Sequence, residues 1–357
     1  MVAFYILAFY IIIISLCKFK SKNKQLLVCL VPLFLFIATR IGWTSDYFAY
    51  EDMYDMQHDW TFVDYMFTMM DVKFEPGFFL LIKLCPSYRF LVVIVSACFI
   101  FAIFLIFKNY VPSKYLFVVF ILWFFNPNFF SSISAMRSNI VISLLLLAVY
   151  AKINNKNPIS ICLVILSGFF HRSGFIFIPF FLISNDFLLK YWKLSFLGSI
   201  LVIGVALFLP SFWTSTLKDV LEDSSMSGYT YYIEVNSFGL GYYLFTFMRI
   251  SFILYIFYLI RRYEINDFQS YLLCFLIFYY VLASIPNLGL ISRIITCIRP
   301  LFSVAMCNVL TIDRNRISSS AFIFINIAYM LLMEYTMFLG SEIHDKSYSV
   351  YQSSLFN

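Results

Sequence analysis

Charge is scarce in this chain. Lys, Arg, Asp and Glu make up 12% of 357 residues, where a soluble domain carries about 25%. Hydrophobic residues make up 62%, and mean hydropathy is +0.87. A soluble globular domain is excluded; this is an integral membrane protein. Histidine is scarcer still, with three widely spaced residues, so a His-based metal site is not expected and no metal or cofactor is assigned. The eight cysteines contain no CxxC pair and lie nearly all in apolar segments, where they read as small lipid-buried hydrophobes. There is no P-loop, no G-x-G-x-x-G and no HExxH. No soluble nucleotide-binding domain is attached, which excludes a self-contained ATP-driven pump.

The N-terminal "MVAFYILAFYIIIISLCKFKSKNK" lacks a positive leader and a small-residue cleavage site. Its charges follow the apolar stretch, so it reads as a retained first helix that starts outside. The net charge of +6 is not a nucleic-acid footprint, because basic residues of a multi-pass protein mark topology first and no aromatic-basic patch accompanies them. What the chain does have is 45 Phe and 26 Tyr, bulky packing suited to a lipid-facing bundle.

Apolar runs fall at about 2–17, 26–41, 90–107, 115–130, 139–151, 158–170, 173–184, 194–210, 241–260, 268–285, 291–311 and 319–339. A straight spanning helix needs roughly 20 residues, so several are short. The stretch 75–84, "EPGFFLLIKL", suits a half-helix or interfacial segment. If it does not cross, and 158–184 is a hairpin of two short helices, the loops 18–25, 108–114, 152–157, 185–193, 261–267 and 312–318 share one side. They hold 14 of the 25 Lys and Arg, against five in 42–74, 126–138, 171–172, 211–240 and 340–357. The first set is therefore read as cytoplasmic. The expected fold is an all-α polytopic membrane protein, a single domain over 1–357, with about 12 transmembrane helices plus the short segment. Two larger extracytoplasmic loops, 42–74 and 211–240, would cover the outer face. Both are acidic and rich in Tyr or Ser, as sugar-binding surfaces often are.

Four basic side chains break the positive-inside pattern. Arg40, Arg137, Arg172 and Arg293 all fall on the outer face, joined there by His171, Glu75 and the acidic "GWTSDYFAYEDMYDM". An Arg at membrane depth costs roughly 2.5–3.5 kcal/mol on insertion scales, which makes each a functional candidate. In "ATRIGWTSDYFAY", Arg40, Asp46, Tyr47 and Tyr50 leave the membrane together, although a snorkelling Arg and an aromatic belt look alike. "FEPGF" sets Glu75 before Pro76 and Gly77, which ordinary helix-start chemistry also favours. "SAMRSNIVISLL" puts Arg137 at a helix N-terminus, where a cation opposes the dipole unless an anion arrives. Its removal should then not weaken the fold, unless an acid depends on it. A phosphate there would meet the Arg fork, the helix end, Ser138 and Asn139. "GFFHRSGFIFIP" gives His171, Arg172 and Ser173 in a turn. Arg249 and Arg299 lie deeper, and Glu334 is one internal partner that would make them structural.

These stretches resemble, in order, the motifs of the EpsG-like branch of the O-antigen and exopolysaccharide polymerases (Wzy-type). They are Arg40 with Gly42-Asp46-Tyr47-Tyr50, Glu75-Pro76-Gly77-Phe78, Arg137, His171-Arg172-Ser173 and Arg293. The resemblance covers about residues 38–300, and the shared order of short motifs carries it. Ser138 departs from it, standing where the family most often has Gln. The resemblance implies a polyprenyl-phosphate-dependent membrane glycosyltransferase with an outward-facing site. The expected reaction is repeat-unit polymerisation in a bacterial inner membrane, with an undecaprenyl-pyrophosphate-linked oligosaccharide as substrate, the lipid bilayer as surroundings and a chain-length regulator as a candidate partner. Arg40, Arg137, Arg172 and Arg293 would hold pyrophosphate, with Tyr47 and Tyr50 on the sugar. His171, ahead of Asp46 and Glu75, would be the base. The rivals are a membrane O-acyltransferase, which usually has a cytoplasm-side His, and a lipid-linked oligosaccharide flippase, which would show a two-fold repeat.

Overall fold

In the computed structural model of the chain, every apolar run of the sequence carries a helix. The structure describes residues 2–42, 46–68, 74–125, 135–208, 240–285, 289–313, 315–340 and 352–353. The order begins α1 (Val2–Leu16), α2 (Lys22–Ala38), β1 (Arg40–Ile41), α3 (Asp46–His58), α4 (Phe62–Phe67), α5 (Pro76–Leu84), α6 (Tyr88–Tyr110), α7 (Leu116–Phe124), α8 (Met136–Ile153) and α9 (Asn157–Phe170). After a 3-10 stretch, Arg172–Phe177, come α10 (Ile178–Leu182), α11 (Phe187–Lys190), α12 (Trp192–Phe208), α13 (Leu240–Arg262), α14 (Asp267–Ser284), α15 (Gly289–Ile312), α16 (Arg316–Gly340) and β2 (Gln352–Ser353). The two short strands pair antiparallel, Arg40 opposite Ser353. Among the described residues, five helices are long and apolar enough to cross a membrane: Tyr88–Tyr110, Met136–Ile153, Gly241–Arg262, Asp267–Ser284 and Ile294–Ile312.

The chain divides into two compact units, Met1–Leu182 with Met330–Asn357, and Ile183–Tyr329. In the first, local chemistry sets the joints. Gln25 Nε2 donates to the carbonyls of Ser15 and Cys17, at 3.0 and 2.9 Å, satisfying acceptors that the end of α1 leaves open. The tight α8–α9 hairpin turns on Asn155, whose φ of 59° is left-handed. Its N–H bonds Lys152 O while Lys156 N–H reaches Ala151 O, the paired closure of a helix end that Asn tolerates better than most residues.

The described part of the 42–74 segment holds α3 and α4, because Tyr47, Tyr50, Tyr54 and Gln57 recur at helical spacing and are the buried face of α3. The 158–184 segment is two short helical arms as expected, the second opening with a six-residue 3-10 stretch before the five residues of α10. Residues 211–239 of the other expected loop lie outside the described residues.

In the second unit, α14 packs against α13 and α15. Asp313, just past α15, ties three helices together. It accepts from Tyr255 and Tyr263 hydroxyls at 2.5 and 2.6 Å, from Asn315 N–H at 2.8 Å, and from Ser318. Burial pushes its carboxyl up, but these donors outweigh it and hold it below its ordinary range. Arg249 is buried and pairs with neutral groups, donating from Nε to Tyr329 at 2.6 Å and from Nη1 to Ala283 O at the end of α14. The negative pole of that helix end favours a cation. Arg299 is likewise buried, and the Glu334 side chain lies outside the described residues.

Candidate functional site

Charge and aromatic surface meet where α3, α5, α8 and the turn after α9 converge. The α3 helix is strapped at both ends: Tyr88 donates to Tyr47 O at 2.8 Å and Tyr54 to Cys85 O at 2.6 Å. Ahead of α5, both main-chain groups of Phe74 are held, its N–H by Gln57 Oε1 at 3.4 Å and its carbonyl by the Tyr65 hydroxyl at 2.9 Å. That fixes the backbone entering Glu75.

Glu75 occupies the N-cap position of α5 with Pro76 behind it, yet its side chain makes no capping bond. It turns to Arg137 instead. Nη1 of Arg137 stands 2.7 Å from Glu75 Oε2, and Nε donates to the Tyr50 hydroxyl at 3.3 Å, leaving Nη2 outside both bonds. The guanidinium lies over the Phe74 ring at 4.8 Å and the Tyr50 ring at 5.8 Å, and those two rings stack at 5.4 Å. Aromatic faces favour a desolvated cation. Side-chain exposure is 23% for Arg137 and 10% for Glu75, so water screens this pair weakly. Burial alone would raise the Glu75 carboxyl; the charge of Arg137, the charge His171 carries when protonated, and the Arg137 hydrogen bond outweigh it and hold it below the usual range.

Glycines bring the His171 turn onto this pair. A Cβ on Gly77 would stand 2.9 Å from the carbonyl oxygen of Phe169, so only glycine lets α5 touch the end of α9 here. A Cβ on Gly174 would stand 2.6 Å from the Gly168 nitrogen, which folds the turn back on the helix before it. His171 is buried, and its Nδ1 accepts the Ser173 main-chain N–H at 3.2 Å, with Ser173 Oγ 2.9 Å from the same atom. A nitrogen that accepts a main-chain N–H carries no proton. With Nδ1 accepting from Ser173, a neutral ring would carry its proton on Nε2.

Of the residues singled out in the sequence, the structure brings Tyr50, Glu75 and Arg137 into direct contact and places His171 near enough for its charge, when protonated, to act on Glu75. Arg172 is half-buried in the same turn, where its charge and that of Glu75 both act on Tyr65. Tyr47 is buried one layer away, edge-on to Tyr88 at 5.1 Å, and the charge of Arg40 acts on both. Asp46 is half-buried as the first residue of α3. Arg293 lies in α15 of the second unit, and its side chain is outside the described residues. Sequence reasoning missed Gln57, Tyr65, Phe74 and Tyr88, which position the site; the i, i+3, i+7, i+10 spacing of Tyr47, Tyr50, Tyr54 and Gln57 pointed to the first. Among the described residues, no group of three or more His, Cys, Asp or Glu is placed to hold a metal ion.

A bundle of apolar helices enclosing a desolvated arginine–carboxylate pair is a multi-pass membrane protein with a buried charged site. The chain belongs to the EpsG family, whose profile matches residues 24–353 and so spans every one of these positions. No curated protein and no solved structure matches it.

Proposed function

We propose that the chain is a polysaccharide repeat-unit polymerase of a bacterial inner membrane, acting at the outer face on undecaprenyl-pyrophosphate-linked glycan. The observation that carries this reading is the Glu75–Arg137 pair, a buried acid and a bidentate-capable cation beside a histidine turn. Membership of the EpsG family supports it. In the reaction, the bond from the donor's anomeric carbon to its phosphate oxygen breaks. A bond forms from that carbon to an acceptor hydroxyl, and the hydroxyl proton leaves to a base. The departing polyprenyl pyrophosphate takes the electron pair.

Arg137 would stabilise the departing pyrophosphate through Nη2 and the helix N-terminus beneath it. Arg172 would supply a second positive charge, and Arg40 a third nearby. Arg293 enters through the family motif alone. His171, with Nδ1 engaged by Ser173, fits donation from Nε2–H to a phosphate oxygen better than proton abstraction. The base then falls to Glu75 ahead of Asp46. A carboxylate suffices where the attacking hydroxyl becomes acidic late, as it does on an oxocarbenium-like centre. Glu75 is ionised at neutral pH, and only one of its oxygens bonds Arg137. Tyr47 and Tyr50 would line the sugar side, and a chain-length regulator would act on the product's length. The test is the surface-glycan profile of a deletion strain: a ladder that collapses to one repeat supports a polymerase, and an unchanged ladder overturns it.

A further inference from the structure

The α4 helix is six residues long, far too short to cross a bilayer, yet it exposes its largest side chains. Phe62 is 64% exposed, Val63 60%, Met66 59% and Phe67 85%. At 3.6 residues per turn these four positions sweep an arc of about 140° on one face. Tyr65, on the other side, is 5% exposed and stacks on Phe79 of α5 at 4.2 Å. The helix is not a fraying loop. Thr61 and Asp64 close a reciprocal cap, with Asp64 Oδ2 accepting from Thr61 N–H at 2.7 Å and Thr61 Oγ1 accepting from Asp64 N–H at 3.1 Å. A rigid apolar face of this width is not left in water; it marks an interaction surface.

We propose that α4 is an interfacial helix that sets its Phe62, Val63, Met66 and Phe67 face into the acyl region of the outer leaflet. The occupant is bilayer lipid, for three reasons. The chain is a multi-pass membrane protein, so a bilayer adjoins it. The neighbouring α5, on which Tyr65 of α4 packs, also exposes large apolar side chains, Leu80 at 53% and Leu84 at 78%. The helix also carries its acid, Asp64, at the edge of that arc, as a helix lying in the interface plane does. The consequence is positional. Tyr65 connects this helix to the Phe74 carbonyl and thereby to Glu75, so the depth of α4 in the leaflet sets the height of the charged cluster near the phosphate headgroups. The inference does not depend on the polymerase reading.

The test labels Phe67→Cys with an environment-sensitive fluorophore in the full chain, reconstituted in phosphatidylethanolamine–phosphatidylglycerol vesicles. The unsubstituted chain gives the background, since Cys17, Cys98 and Cys162 are exposed. Val63→Cys serves as a second probe position, and Asp55→Cys on the exposed side of α3 as the aqueous reference. The expected result is several-fold stronger quenching by shallow doxyl lipids at 67 and 63 than at 55, with aqueous iodide in the reverse order. Iodide quenching at 67 and 63 equal to that at 55 would overturn the proposal. So would protection from both quenchers, which would mean that protein covers the face.

Discussion

Arg137 and Glu75 stand 62 residues apart in sequence and 2.7 Å apart in space. This changes what Arg137 means. Read from sequence, its positive charge opposes the dipole at the start of α8 and should cost stability. In the structure Glu75 supplies the missing anion, so the arginine supports the fold as well as the proposed chemistry.

Arg137→Ala is therefore expected to lose the glycan ladder and to lower stability together. Breaking a fully buried pair costs about 3–5 kcal/mol; the partial exposure of this one lowers that to about 1–3 kcal/mol. The double variant Arg137→Ala with Glu75→Gln removes the stranded charge and should recover much of the melting temperature in detergent, without recovering activity. Arg137→Lys keeps the charge but cannot reach Glu75 and Tyr50 as one planar fork, so it should rescue poorly. A ladder at wild-type length in Arg137→Ala cells would remove Arg137 from the site.

The pH dependence of the pair follows from Glu75. Its folded-state carboxyl lies below its ordinary value, so its contribution is fully present above the unfolded value of about 4.3 and is lost as pH falls through the lower folded value. The melting-temperature gap between wild type and Glu75→Gln should stay constant from about pH 5.5 to pH 8 and shrink below about pH 4. A gap that shrinks between pH 6 and 7 would place Glu75 outside an ion pair.

Gly77→Ala should be costly, because the new methyl meets main-chain oxygen, which cannot swing aside. Separating α5 from α9 would draw Glu75 away from His171 and cost about 1–3 kcal/mol as overpacking. Gly198→Ala and Gly204→Ala, with nothing within 4 Å of the added carbon, serve as controls. Equal tolerance at all three, by melting temperature and ladder length, would count against the contact.

Polymerisation is expected to survive EDTA, since the proposed mechanism draws its positive charge from Arg137 and Arg172. Activity lost with chelator and restored by a divalent cation in a purified assay would contradict this.

The helices were legible in the sequence because bilayer burial demands long apolar runs, and the site motifs because charge is so rare among them. The α3 helix was obscured by its acids, Asp46, Glu51, Asp52 and Asp55, although its tyrosines keep helical spacing. The pairing of Glu75 with Arg137 was not legible. It depends on which of several outer charges the fold brings together, and that is decided by Gly77 meeting Phe169 and by Gln57 and Tyr65 holding Phe74. The hydrogen bonding of His171 was equally hidden, since its partner is a main-chain N–H two residues on.

The central claim is that the Glu75–Arg137 cluster is the place of glycan transfer, and Glu75→Gln tests it most directly. The substitution keeps shape and hydrogen-bonding capacity while removing the carboxylate; it leaves the Arg137 charge without its anion and lowers stability as Arg137→Ala does, so the ladder is read at matched membrane protein level. Surface glycan from such cells, resolved by gel beside a quantified membrane protein level, should show a single repeat unit and no ladder. A full-length ladder at normal protein level would contradict the account.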